Sequence, residues 1–255
     1  MKLVIDPGHG GSDSGAVGNG LQEKQVVLQI ARRVRDILSA GYVVDILMTR
    51  DSDIFIPLSE RARMANSFGA NYFFSVHINS GGGSGYEDYI YIGVSGTSTA
   101  AKKQRQVHAA VVPVLQKYGL KDRGTKQADY AVLRETSMDA ILTEAAFIDT
   151  TSDAGLLKNP QFIEDISQAY ANGIAAVMGL QAKAPAVVYI ETGGLGEEGV
   201  AEAHRFMMSK GWYGQILYPG GGKTPFLRTG GLTPSMRAEA EAWLKSLGWY
   251  YVVKA

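Results

Sequence analysis

The 255-residue chain contains no cysteine. Disulfides and thiolate metal sites are thereby excluded, and any metal must be held by histidine and carboxylate. There is no charge imbalance either: 25 Lys and Arg stand against 25 Asp and Glu. No electrostatic footprint for nucleic acid or an anionic membrane is left to read. No stretch reaches about 18 uninterrupted apolar residues, so no membrane-spanning helix is expected. No basic segment followed by an apolar one opens the chain, so no secretory signal is expected. What the chain does have is apolar mass. At 45% hydrophobic residues, it can build one large core, or one medium and one small.

The first strand and its turn organise the rest of the chain. Leu3, Val4 and Ile5 read as a buried strand, and Pro7 with Gly8, Gly10 and Gly11 stops it abruptly, leaving His9 on a tight turn. A helix is predicted from near Gln22 to Gly41, with Val26, Val27, Ile30, Ala31, Val34, Ile37 and Leu38 on one face. Strands are predicted at 42–48, 71–76 and 86–92, helices at 58–68, 100–115 and 161–178, an extended piece at 131–133 and a short buried strand at 140–143. This alternation implies an α/β domain, residues 1–179, with a largely parallel sheet flanked by helices. Residues 180–185 read as a polar, proline-containing linker to a second domain, 186–255.

The second domain repeats itself. Thr192-Gly193-Gly194-Leu195 recurs as Thr229-Gly230-Gly231-Leu232, and Gly211-Trp212-Tyr213 as Gly248-Trp249-Tyr250, with Phe206 meeting Trp243 at the same shift. Two βαβ units of this kind predict a small α+β, ferredoxin-like sheet with two helices on one face. Trp212 and Trp249, each following a glycine, are expected in its core.

His9 is expected to end the first strand, His77 the third, and Glu144 the short strand after Ala140, while Glu23 opens the first helix. Residues beyond the carboxyl ends of parallel strands meet in one crevice. Two imidazoles and a carboxylate are a zinc ligand set that leaves a fourth position for water. A fourth acid off the metal can carry a proton. Each residue taken alone also has a structural reading: Glu23 as a favourable charge at a helix N-terminus, His77 as a strand-end group bonded to backbone, Glu144 as a paired surface acid. His108 reads as solvated and His204 as structural or surface.

Blocks spread over residues 2–178 carry a resemblance. Asp6-Pro7-Gly8-His9-Gly10-Gly11, Glu23-Lys24, Thr49-Arg50, Leu58-Ser59-Glu60-Arg61, Ala65-Asn66, Ser75-Val76-His77-Ile78-Asn79, Val132-Leu133-Arg134 and Leu142-Thr143-Glu144-Ala145-Ala146-Phe147-Ile148 occur in this order. In this the chain resembles the zinc-dependent N-acetylmuramoyl-L-alanine amidases of the amidase-3 family. The resemblance implies that His9, Glu23 and His77 bind one Zn2+ and that Glu144 is the catalytic acid/base. It implies a substrate too, the amide joining the lactyl group of N-acetylmuramic acid to L-alanine in peptidoglycan. Asn79 and Arg123 are expected to bind that substrate. Ala146 and Asp139 stand where such enzymes often carry glycine and proline; neither is a ligand position.

The second domain resembles a SPOR-type peptidoglycan-binding repeat, with Tyr189, Tyr218, Arg228 and Tyr251 expected to meet the wall. Domain pairing and the expected absence of a signal imply a phage or prophage endolysin, made in the cytoplasm and reaching the cell wall by a holin-type route. The competing expectations are a zinc peptidase cutting within the stem and a catalytically inactive wall-binding protein.

Overall fold

The computed structural model describes residues 1–183, 188–220 and 223–254. The chain divides into two compact units, Met1–Lys183 and Ala184–Ala255. In the first, the elements follow as β1 (Lys2–Pro7), β2 (Val17–Gly18), β3 (Leu21–Gln22), α1 (Glu23–Gly41), β4 (Asp45–Met48), α2 (Leu58–Phe68), β5 (Tyr72–Asn79), β6 (Tyr86–Tyr91), α3 (Thr99–Tyr118), β7 (Asp122–Ala128), α4 (Ala131–Arg134), β8 (Ala140–Phe147), α5 (Thr151–Leu157) and α6 (Pro160–Met178).

Six strands form one sheet in the order β4-β1-β5-β8-β6-β7. The strands β4, β1, β5 and β8 run parallel, β6 is antiparallel to β8, and β7 is parallel to β6. Four of the five pairings are parallel, as expected, and the antiparallel one between β6 and β8 makes the sheet mixed. The reason lies in the six residues between β5 and β6. A parallel crossover needs a dozen or more residues; Ser80–Gly85 is too short for one. Gly81, Gly82 and Gly85, all at positive φ, carry the chain's reversal instead.

The sheet is buried on both faces. Leu3, Ile5 and Phe74 point to α1, α3 and α6, where Val27, Ile30, Val107, Val111, Phe162, Ile166 and Ile174 complete the larger core. Val4 and Phe73 point the other way, onto Ala65 of α2 and Val132 and Leu133 of α4. This alternation across one strand is the period-2 rule, and it makes a three-layer unit. Helix ends follow standard chemistry: Ser98 and Asn159 accept from Ala101 N and Gln161 N, and Gly69, Gly119 and Gly179 close their helices in the left-handed region.

Three local expectations change. Residues 131–133 are helical rather than extended, because Leu133 N and Arg134 N both donate to Tyr130 O. Residues 42–44 do not join β4, which starts at Asp45. Leu180 to Lys183 do not form a free linker: Val43 N donates to Gln181 O and Lys183 N to Gly41 O, each at 2.8–2.9 Å. The rest of that expected linker, Ala184 and Pro185, lies outside the described residues.

The second unit runs β9 (Tyr189–Thr192), α7 (Glu197–Lys210), β10 (Gly214–Leu217), β11 (Phe226–Thr229), α8 (Pro234–Ser246) and β12 (Tyr251–Lys254). Its strands pair antiparallel in the order β10-β11-β9-β12. The internal repeat is visible in single contacts. Ile190 N donates to Thr229 Oγ1 and, one repeat on, Leu227 N donates to Thr192 Oγ1. The equivalent residues Phe206 and Trp243 stack with centroids 3.9 Å apart. Trp212 sets its edge against Phe206, as Trp249 does against Trp243.

Candidate metal centre

The site begins at the turn after β1. Gly8 N donates to Val76 O, and a side chain at Gly8 would place its Cβ 2.2 Å from the His77 ring. Only glycine lets the turn pass that close to the imidazole. His9 follows at φ 59°, a conformation a non-glycine residue holds only when its surroundings enforce it.

Two buried arginines provide that enforcement. Arg50 gives Nε to Pro7 O and Nη2 to Gly8 O and Lys24 O. Arg61 gives Nη1 to Pro7 O and Nη2 to His9 O, each at 2.6 Å. Arg61 also pairs with Asp6 at 2.8 Å, and Thr49 and Ser75 donate to the same carboxylate. Burial alone would raise the Asp6 carboxyl; the Arg61 charge and these hydrogen bonds outweigh it and hold it below the usual range. Burial and the Arg61 charge push Arg50 down to about 10. The sequence blocks containing both arginines gave no hint of this role.

His9 Nδ1 is bonded to Asp13 at 2.9 Å, and its Nε2 faces Glu23 Oε1 at 3.1 Å. His77 presents Nδ1 to the same oxygen at 3.0 Å. The two rings meet edge to face, centroids 4.9 Å apart. Ile78 N donates to Glu23 Oε1 and Ala16 N to Oε2. Burial acts to raise the Glu23 carboxyl, but the hydrogen bonds and charges of His77 and His9 hold it well below the ordinary carboxylate range. One donor atom from each of His9, Glu23 and His77 lies within 4.8 Å of the others. Two imidazole nitrogens and one ionised oxygen at that spacing suit a tetrahedral divalent ion with bond lengths of about 2.0–2.2 Å. Asp13 would orient His9 from behind, as carboxylates do for metal-bound imidazoles.

Glu144 lies beside this group. It sits opposite His77 in the β5–β8 ladder and opposite Glu87 in the β8–β6 ladder. Neither His77 nor Glu144 ends its strand, contrary to expectation: β5 continues to Asn79 and β8 to Phe147. Among the described residues, Glu144 Oε2 is buried without a hydrogen-bond partner. Burial, then the charges of Glu23 and Glu87, push its carboxyl well above the usual range.

Asn79 and Arg123 meet at a residue that sequence reasoning missed. Glu87, 3% exposed, accepts from Asn79 Nδ2 at 2.7 Å and Tyr89 OH at 2.6 Å on Oε1, and from Arg123 Nε at 2.5 Å and Lys126 Nζ on Oε2. Two adjacent acids inside an otherwise apolar strand, Glu87 and Asp88 between Tyr86 and Tyr89, were the available signal. His108 is likewise not solvated as expected: its side chain is 12% exposed and bridges Asp88 at 2.7 Å and Asp122 at 3.1 Å. His204 is exposed on α7.

Of the residues expected to meet the wall, Tyr189 and Arg228 stand on the open face of the second unit's sheet, where Arg228 pairs with Glu191 at 2.6 Å. Tyr218 follows β10 and is 72% exposed. Tyr251 is the exception. It pairs with Thr192 on the opposite face and packs against Ile190 and Leu244 under the helices.

Comparison with known proteins bears on the first unit. Residues 3–176 match the profile of a family described as N-acetylmuramoyl-L-alanine amidase. An endolysin of Bacillus phage SPP1 is 48% identical over 184 residues, covering 71% of this chain and 68% of that protein. The N-acetylmuramoyl-L-alanine amidase CwlM of Bacillus licheniformis is 46% identical over 192 residues, covering 75% and 74%. The structure resembles the catalytic domain of CwlV, an N-acetylmuramoyl-L-alanine amidase from Bacillus (Paenibacillus) polymyxa var. colistinus, with TM-score 0.65 and 32% identity, covering 71% of this chain and 99% of that one.

Proposed function

This chain belongs to the N-acetylmuramoyl-L-alanine amidase family, and we propose that it performs this hydrolysis with zinc held by His9, Glu23 and His77 and with Glu144 as acid/base. The bond cut is the amide between the lactyl group of N-acetylmuramic acid and L-alanine. One observation carries the assignment of roles: Glu23 bridges both imidazoles, while the neighbouring Glu144 keeps a buried oxygen without a protein partner.

Bound in this position, zinc supplies a Lewis acid for the scissile carbonyl and lowers the pKa of water towards about 7. The chain's residues supply the remainder. Glu144 takes the proton of the attacking water and returns it to the alanine nitrogen as the amide breaks. Burial and the two nearby acids Glu23 and Glu87 make the protonated form easier to reach, as the second half of that cycle requires. Asn79, fixed by Glu87, lines the path of the peptide.

For the second unit, the β-α-β-β-α-β order and its antiparallel sheet support a ferredoxin-like, SPOR-like wall-binding module. Tyr189, Tyr218 and Arg228 remain its candidate contacts; Tyr251 is a packing residue. The phage endolysin among the relatives supports a lytic role on the bacterial wall.

Mass analysis of a wall digest tests the reaction. A new N-terminal alanine on an otherwise intact stem, abolished by a chelator, is expected. Cleavage between stem amino acids would instead indicate a peptidase. A chain ending at Lys183 should keep turnover on soluble fragments and sediment less with intact walls; unchanged sedimentation would contradict anchoring by the second unit.

A further inference from the structure

One row of side chains crosses the sheet from the metal centre to its edge. His77 on β5, Glu144 on β8 and Glu87 on β6 are register neighbours, and the edge strand β7 adds Arg123 and Lys126, both bonded to Glu87. The far end of this row is cationic. Glu87 contributes one negative charge and its two partners contribute two positive ones, which leaves one positive charge at the edge of the row. Burial works against ionisation of Glu87, but Lys126, Tyr89 and Arg123 hold its carboxyl down at about 2.

Arg123 is presented rather than consumed. Glu87 engages its Nε. Nη1 has only a 3.5 Å contact with Ser84 O, and Nη2 has no partner among the described residues. The guanidinium lies over the Phe147 ring, 4.9 Å from its centroid, which fixes its plane. The Arg123 side chain is 28% exposed and that of Lys126 36%. A planar guanidinium whose two terminal nitrogens are little used recognises a carboxylate with two parallel hydrogen bonds.

We propose that Arg123 and Lys126, positioned by Glu87, form a subsite for a carboxylate on the peptide side of the scissile amide, one residue beyond the alanine. The subsite rests on the amidase function proposed for the same centre. The reach agrees. Neighbouring strands lie about 4.8 Å apart, so the β8 and β7 backbones are separated by roughly 10 Å. Arg123 leans back over Phe147 of β8 and covers part of that distance. Two extended residues span about 7 Å. In a peptidoglycan stem the second residue offers either a free α-carboxylate, as in γ-linked glutamate, or the corresponding carboxamide. The subsite favours the carboxylate, since a neutral amide leaves the cations uncompensated and cannot accept both hydrogen bonds.

The test is steady-state hydrolysis of two soluble muramyl peptides by the full chain, differing only in carboxylate or carboxamide at that residue. The wild type is expected to prefer the carboxylate by about tenfold in kcat/KM, the range of one charge-assisted hydrogen bond. Arg123→Gln and, separately, Lys126→Gln should bring the ratio towards one, mainly by raising KM for the carboxylate peptide. Equal rates for both peptides in the wild type, or variants that slow both by the same factor, overturn the subsite and leave the amidase reading standing. If the wild type releases alanine-terminated peptide from neither substrate, the amidase reading fails and the subsite with it.

Discussion

Single side chains do two kinds of work beneath the metal turn. Asp6 and Arg61 are both almost fully buried, at side-chain exposures of 1% and 2%, and Arg61 also caps the carbonyls of Pro7 and His9. Removing one member of a buried, hydrogen-bonded pair leaves an uncompensated charge, which costs about 3–5 kcal/mol. Arg61→Ala is therefore expected to lower the unfolding free energy by that amount in urea; a loss below about 1 kcal/mol would show that the pair is not a structural support. His108 gives a pH signature. Its hydrogen bond to Asp88 raises its pKa above the ordinary value, with burial opposing and Asp122 assisting. A raised folded-state pKa adds stability fully present below about pH 6.5 and lost as pH rises through the folded value. Unfolding free energy should fall over that window in the wild type, and His108→Gln should flatten the fall. A steeper or unchanged slope in the variant would count against the Asp88–His108–Asp122 bridge.

At the scale of elements, the turn between β1 and the glycine loop is the part that tolerates least change. Gly8→Ala would drive a Cβ into the His77 ring, so His77 must leave its place opposite Glu23. Metal affinity should drop by at least tenfold, read by competition with a chromogenic chelator, while far-ultraviolet circular dichroism stays near wild type. Wild-type affinity would mean that the turn can shift without disturbing the ligands. The same elements show what was legible beforehand. His9, His77 and Glu144 stand out because each follows an apolar run that reads as a buried strand, and Glu23 because it opens the helix after the glycine loop. The strand β7 does not stand out, because Asp122–Ala128 has no apolar run: it is an edge strand held by pairing with β6 alone. The reversal of β6 was available from loop length but not from hydropathy. The helical turn at 131–134 hides because four residues are too few to show a period.

At the scale of the whole molecule, the chain holds two units of different construction. The first draws on a large core on both faces of its sheet. The second, with far fewer residues, builds its core from a duplicated pattern, and its repeat could be read as such because equivalent residues make equivalent contacts: Thr192 and Thr229 in the sheet, Phe206 and Trp243 between the helices. The side of the sheet on which Tyr251 falls was not legible, because the start of β12 sets the alternation and strand bounds are loose in sequence.

The proposed mechanism rests on a division of roles between three metal ligands and one separate acid. Elemental analysis of purified Glu144→Gln alongside the wild type, paired with turnover on wall fragments, addresses it most directly. One zinc per chain in both proteins, with turnover in the variant reduced by about 10²–10⁴-fold, is the predicted result. Loss of zinc from the variant, or zinc and full turnover together, would contradict the division.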